Sequence, residues 1–256
     1  MAESRGQRAR RRLLSHAVNV GWAKLRSLGA IAPGTVAAER FGSFGAGSLI
    51  AFPTASIYGE AHIHIGDETL VAGWVTLVAG YSPDQAAVPP RALVIGDRCV
   101  IGERAGLVAH ESIEVGDDVW FGQDVYVTDS NHGFDEPDTP IGRQIGTHQP
   151  VRIGAGSWVG HGAVILPGAR LGRQVIVAAG SVVRGDVPDH SVVGGVPARV
   201  LRTLDGHEPR LRSGPTARRI PEAGGRPSLL SVRADRAVVG EVTQPRSTPT
   251  PKRNAR

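Results

Sequence analysis

The 256-residue chain has one cysteine, Cys99, and one methionine. A lone cysteine excludes an intrachain disulfide and any metal centre built from several thiolates, and it fits a reducing cytoplasm. Aromatic residues make up only 5% of the chain, too few for a core assembled around large rings. No run of apolar residues approaches the roughly 20 needed to cross a bilayer as a helix. The basic start lacks a following apolar signal core and cleavage site, so a cytoplasmic protein is expected. Basic residues outnumber acidic ones at both ends. Residues 1–12 and 205–256 carry +4 and +6 of a total of +5, which leaves −5 for residues 13–204. The basic character therefore belongs to the ends, and a nucleic-acid-binding core is not expected.

The length permits one large domain or two small ones. What the chain does hold is glycine, 34 residues of it, which points to many tight backbone turns. Leu14, Val18, Trp22, Leu25 and Leu28 recur at three- and four-residue steps. That spacing predicts a helix over 13–28, ended by Pro33 and Gly34 and packed as a cap on the body within a segment 13–48. The segment RARRR before it is read as part of a disordered basic start, 1–12. An alternative expectation places this basic end on an anionic membrane surface. Residues 205–256 are rich in Arg, Pro, Ser and Thr without apolar period, and read as a disordered tail.

Between the ends the chain counts in sixes. Apolar residues fall at Ile65, Val71 and Leu77; at Ile95, Ile101, Leu107 and Ile113; at Val115, Phe121 and Val127; and at Ile153, Val159, Ile165, Leu171, Val177 and Val183. Glycine often follows, as at Gly66, Gly96, Gly102, Gly122, Gly154, Gly160 and Gly172, and a small or β-branched residue stands four places on, as at Thr69, Cys99, Ala105 and Ser157. A period of six suits neither a helix nor a long strand. It suits a triangular coil in which each hexapeptide forms one side and one corner, and stacked turns bury the inward apolar residues. The count is lost once for some twenty residues, across VYVTDSNHGFDEPDTPIGRQ, 125–144. A loop over 133–150 is expected there, projecting from a coil that spans 49–204.

These repeats, with DSNHG, VRIGAGSWVGHGAVILPGARLG and VVRGDVPDHSVVGGVPARV in that order, resemble the hexapeptide-repeat acyltransferase superfamily, and within it the polysaccharide and sugar O-acetyltransferases. The resemblance implies an all-β, left-handed parallel β-helix that assembles as a homotrimer. It implies transfer of an acyl group, acetyl by default, from acyl-CoA as co-substrate to a sugar hydroxyl of a polysaccharide, glycolipid or precursor, with no bound cofactor or metal. A serine or antibiotic acceptor remains open.

Carried over residue by residue, the resemblance makes His132 the general base. An imidazole titrates near neutrality, at about pH 6.5 when unperturbed, so it can take a hydroxyl proton and return it to the leaving thiolate. Asp129 or Asn131 would orient that imidazole or bind the acceptor, although both residue types are also ordinary turn formers. Trp158 and His161 would flank the pantetheine arm and the backbone of Ala179 would lie along it. Trp158 also reads as a plain outward apolar residue, and His161 as a corner residue. Arg184 stands one place earlier than the basic residue of the relatives; it and Arg199 are candidates for the CoA phosphates or simply solvated. Two rivals use the same scaffold. A metalloenzyme like the γ-class carbonic anhydrases would draw on His62 and His64, though no two histidines are five apart; the other rival is a non-catalytic scaffold.

Overall fold

The computed structural model describes residues 5–82, 85 and 87–204; the tail read at 205–256 lies outside the described residues. The chain opens with a helix over Arg5–Gly29. It starts eight residues earlier than the apolar period predicts, because Arg, Gln and Ala are good helix formers and no proline interrupts 5–12. The basic segment is thus the first part of the helix. Nor is the helix a packed cap: Leu14, Val18, Trp22, Leu25 and Leu28 are all exposed. The helix meets the coil at its C-terminal end, where Gly29 lies against the Phe52 ring and Ile31 exchanges two 2.9 Å backbone hydrogen bonds with Ile50.

From Ser43 onward short strands stack into three parallel sheets of seven, eight and six strands, the last strand of the second pairing antiparallel. Phe44, Ile65, Ile95, Val115, Ile153, Leu171 and Val187 lie one above another on the first face. Ile50, Val71, Ile101, Phe121, Val159, Val177 and Val193 belong to the second, and Ile57, Leu77, Leu107, Val127, Ile165 and Val183 to the third. Most are fully buried, and each buried aliphatic side chain contributes about 1.5–3 kcal/mol. Cys99, Val119 and Ser157 fill the narrow interior behind them, wholly buried. The sequence pattern and the fold agree face by face.

The corners follow one rule. Two places after each corner glycine stands a residue in the left-handed region, such as Glu68, Arg98, Arg104, Asp118, Asp124 or Gln174. The repeat glycines themselves are needed for a different reason, the close passage of the next coil. A Cβ on Gly160 would lie 2.7 Å from the Ala179 nitrogen, and one on Gly122 would lie 2.6 Å from that of His161.

Sequence and structure differ in register at one edge. From Leu107 the next inward rung on the first face is Val115 rather than Ile113 alone, and the strand Ile113–Val115 buries both. The corner between third and first faces has therefore been lengthened here. The same corner is lengthened between Ile57 and Ile65, between Leu77 and Ile95 and again between Val127 and Ile153. Four successive coils thus carry extra residues at one edge of the prism. From Ile165 to Leu171 this corner is tight again, and the coil ends in a hairpin of Ser191–Gly195 against Ala198–Thr203.

Candidate active site

The longest excursion is not an open loop. Ser130–His132 and Ile145–His148 pair antiparallel, and Gln149 donates 2.7 Å to the carbonyl of Asp129, so the hairpin leaves and rejoins the coil at one point. Gly146 lies so close to the carbonyl of Asn131 that a side chain there would overlap it. At the tip, the Gln144 side chain is buried. It donates to the carbonyls of Glu136 and Thr139 at 2.9 and 2.8 Å and accepts from the Glu136 nitrogen at 3.1 Å.

The base of the hairpin is fixed by Asp129. Its side chain is fully buried, and its carboxylate accepts hydrogen bonds from the backbone N–H groups of His110, Glu111 and Ser112 at 2.8–3.0 Å. Burial pushes this carboxyl up, but hydrogen bonds from His110, Glu111 and Ser112 outweigh it and hold the group below the usual carboxylate range. The extra residues of one coil thereby grip the first residue of the excursion in the next.

Between the hairpin and the outer side of the third face lies a cleft of about 450 Å³, lined among others by Tyr81, His110, Tyr126, Ser130, Asn131 and His132. His132 and Asn131 are exposed at this cleft. Asp129 is beneath it, with its carboxylate occupied by backbone donors, so it positions the hairpin and does not reach an acceptor. The other expected residues lie elsewhere. Trp158 is exposed on the second face, stacked in register with Trp120 and Ile176. His161 stands at the corner after it, with Nδ1 3.6 Å from Asp124, and its carbonyl accepts from Gly180 next to Ala179. Asp124 in turn lies below its usual range, chiefly through the hydrogen bonds from Arg104. Trp158, His161 and Ala179 thus share one edge, and none of them lines the His132 cleft. Arg184 and Arg199 are exposed; Arg199 donates to the carbonyl of its neighbour Ala198.

Histidines 62 and 64 do not form a metal pair. His62 Nδ1 bonds to the carbonyl of Pro89, and His64 bonds to Pro90 through Nε2 and to the Ser43 hydroxyl through Nδ1. They clamp the end of the excursion between Leu77 and Ile95. Sequence reasoning missed a different group: Tyr81, His110 and His148, one from each of three successive lengthened corners. The Tyr81 ring lies 4.1 Å from that of His110, the His110 and His148 rings are nearly parallel at 5.4 Å, and Tyr81 Oη is 2.8 Å from His148 Nε2. The signal for His110 was the two extra residues in the count between Leu107 and Val115.

Stacked parallel sheets with a six-residue repeat define a hexapeptide-repeat β-helix. Residues 150–185 match the family model described as bacterial transferase hexapeptide (six repeats), and residues 92–129 match the hexapeptide repeat of succinyl-transferase. The chain is similar to sugar and lipopolysaccharide O-acetyltransferases. It is 31% identical over 126 residues to a putative lipopolysaccharide biosynthesis O-acetyl transferase of Escherichia coli, covering 46% of this chain and 64% of that one. To a probable acetyltransferase of Mycobacterium tuberculosis it is 36% identical over 110 residues, 43% of this chain and 37% of the relative. To the galactoside O-acetyltransferase of Lactococcus lactis it is 36% identical over 101 residues, 39% and 47% of the two chains. The chain thus spans less than two thirds of the length of each. The structure of AntD, an N-acyltransferase from Bacillus cereus in complex with dTDP and 3-hydroxybutyryl-CoA, shares the fold. Its TM-score is 0.55 at 22% identity, over 66% of this chain and 86% of that one.

Proposed function

We propose that the protein is an acyl-CoA-dependent O-acyltransferase, acetyl by default, acting on a sugar hydroxyl of a polysaccharide, glycolipid or precursor. The observation that carries this reading is the exposed His132 in a cleft of about 450 Å³ beside a hairpin that interrupts the repeat. The similarity to chains named as O-acetyltransferases supports it. A thioester is already activated, so one base suffices. The His132 imidazole takes the proton of the acceptor hydroxyl as its oxygen attacks the thioester carbon. The tetrahedral oxyanion then collapses, the C–S bond breaks, and the imidazolium returns its proton to the CoA thiolate. Asn131, beside the base, is positioned to orient the acceptor.

The donor would run along the edge formed by Trp158, His161 and Ala179, with Arg184 and Arg199 toward its phosphates. That edge and the His132 cleft lie at different corners of one prism. In this reading the coil is left-handed, and three chains pack so that the cleft of one meets the donor edge of the next. Purified protein should release free thiol from acetyl-CoA only when a sugar acceptor is present, and light scattering should give three times the chain mass. His132→Ala subunits mixed with Trp158→Ala subunits should recover part of the activity. Thiol release that does not depend on any sugar would overturn the reaction, and a fully active monomer would overturn the shared site.

A further inference from the structure

Hydrogen bonds leave the group beneath the cleft incomplete. The buried Asp129 carboxylate takes backbone N–H donors only from residues 110–112, and His110 Nδ1 lies 3.5 Å from its Oδ1. Among the described residues, His110 Nδ1 and His148 Nδ1 are the only buried side-chain nitrogen or oxygen atoms without a hydrogen-bond partner. One ligand atom from each of His110, Asp129 and His148 lies within 4.8 Å of the others. Two buried imidazole nitrogens without a partner, next to a buried carboxylate, call for a ligand that bridges them.

The chemistry of the three donors selects its type. Two imidazoles and one carboxylate suit Zn²⁺ and its first-row neighbours, whereas Ca²⁺ and Mg²⁺ favour sites made of oxygen. With bonds of about 2.0–2.2 Å, ligand atoms around tetrahedral zinc stand roughly 3.3–3.5 Å apart. The His110–Asp129 distance of 3.5 Å already has that value. Ligation through Nδ1 requires the proton on Nε2, and His148 Nε2 lies 2.8 Å from Tyr81 Oη, ready to donate to it. Such an outer partner is the usual support of a ligating histidine. The two rings are now nearly parallel, 8° apart. Closure needs a turn of the His148 ring about its Cβ–Cγ bond, a soft torsion, and the exposed Tyr81 side chain must follow Nε2 to keep their hydrogen bond.

We infer that His110 Nδ1, the Asp129 carboxylate and His148 Nδ1 form a site for a divalent transition metal, Zn²⁺ foremost, that fastens the inserted hairpin to the coil. Two ligands come from the coil and its corner, the third from the returning strand of the hairpin, so the ion fixes the hairpin that carries His132. The inference does not depend on the proposed reaction, because its readout is metal binding.

Tag-free full-length protein, stripped with chelator, is titrated calorimetrically with Zn²⁺ and, in parallel, with Co²⁺ followed by visible absorption. The expected result is one saturable site per chain, with the d–d bands of a tetrahedral ion and a rise in Tm. His148→Ala, which changes only the hairpin, should abolish all three, and His110→Ala should do the same if it folds. Absence of a one-to-one site, or an unchanged site in folded His148→Ala, would overturn the inference. So would a Tm that ignores Zn²⁺ but rises as pH falls through the ordinary histidine range, since the missing cation would then be a proton.

Discussion

Tyr81 and His148, 67 positions apart in sequence, share a 2.8 Å hydrogen bond that joins the excursion after Leu77 to the one after Val127. The His148 ring also stacks on that of His110, and the Tyr81 ring packs tilted against it. Tyr81→Phe keeps the ring contact and removes the hydroxyl. The expected loss is small in global stability, about 0.5–1.5 kcal/mol. Its local effect should be larger, as faster amide exchange confined to residues 130–148, measured by hydrogen–deuterium exchange. Uniform change along the coil would contradict this placement.

His132→Ala should leave the fold intact, because the side chain is exposed at the hairpin and apart from the inward ladder. Acyl transfer should fall by about 10²–10⁴-fold, the usual effect of losing a general base. Thiol release from acetyl-CoA with a sugar acceptor, alongside an unchanged circular dichroism spectrum, checks both halves of the expectation.

Gly146→Val places a side chain where the carbonyl of Asn131 now sits. The hairpin must separate, whereas the coil rungs at Val127 and Ile153 need not move. Activity should drop with little change in Tm, since the excursion lies outside the stacked core. A large fall in Tm would mean that the hairpin supports the coil rather than the reverse.

Asp129 gives the coil a pH dependence with a definite sign. Its folded carboxyl lies below the usual carboxylate range. The stability it contributes is therefore fully present above the unfolded value of about 3.9 and is lost as pH falls through the lower folded one. Asp129→Asn leaves backbone donors at 110–112 poorly satisfied and should cost about 1–3 kcal/mol near neutrality. The variant should also show a shallower acid limb in a plot of Tm against pH, and an acid limb identical to wild type would remove Asp129 as its source.

Cys99 is fully buried, and burial pushes its thiol up to about 11. Little thiolate exists near neutrality, and alkylating reagents have no path to it. Native protein should resist iodoacetamide at pH 8 and react within minutes once unfolded. Rapid labelling of the folded protein would show that the coil opens locally at this rung.

The inward ladder was legible because its period of six belongs to the backbone: Ile65, Val71 and Leu77 announce three faces whatever the side chains outside do. His132 was legible because it stands where that count breaks. His110 was not. It meets Asp129 and His148 only once two adjacent coils have stacked, and sequence separation hides contacts made along the coil axis. Asp129 was read at the break as orienting the imidazole or binding the acceptor; one sequence does not show the backbone donors that surround its carboxylate. The helix start was missed because arginines at 8 and 10–12 carry no apolar period although their backbone is helical.

The lengthened edge between the third and first faces has a consequence for how such a protein can diversify. Each excursion leaves one rung and returns to the next at the same height, so the register above and below is independent of how many residues the excursion holds. Insertions here shift no buried side chain from inside to outside, which an insertion within a strand would do. The prism behaves as a frame with one replaceable margin. Chimeras that exchange only residues 130–148 between relatives, keeping Asp129, should therefore fold with unaltered cores while the shape of the cleft changes.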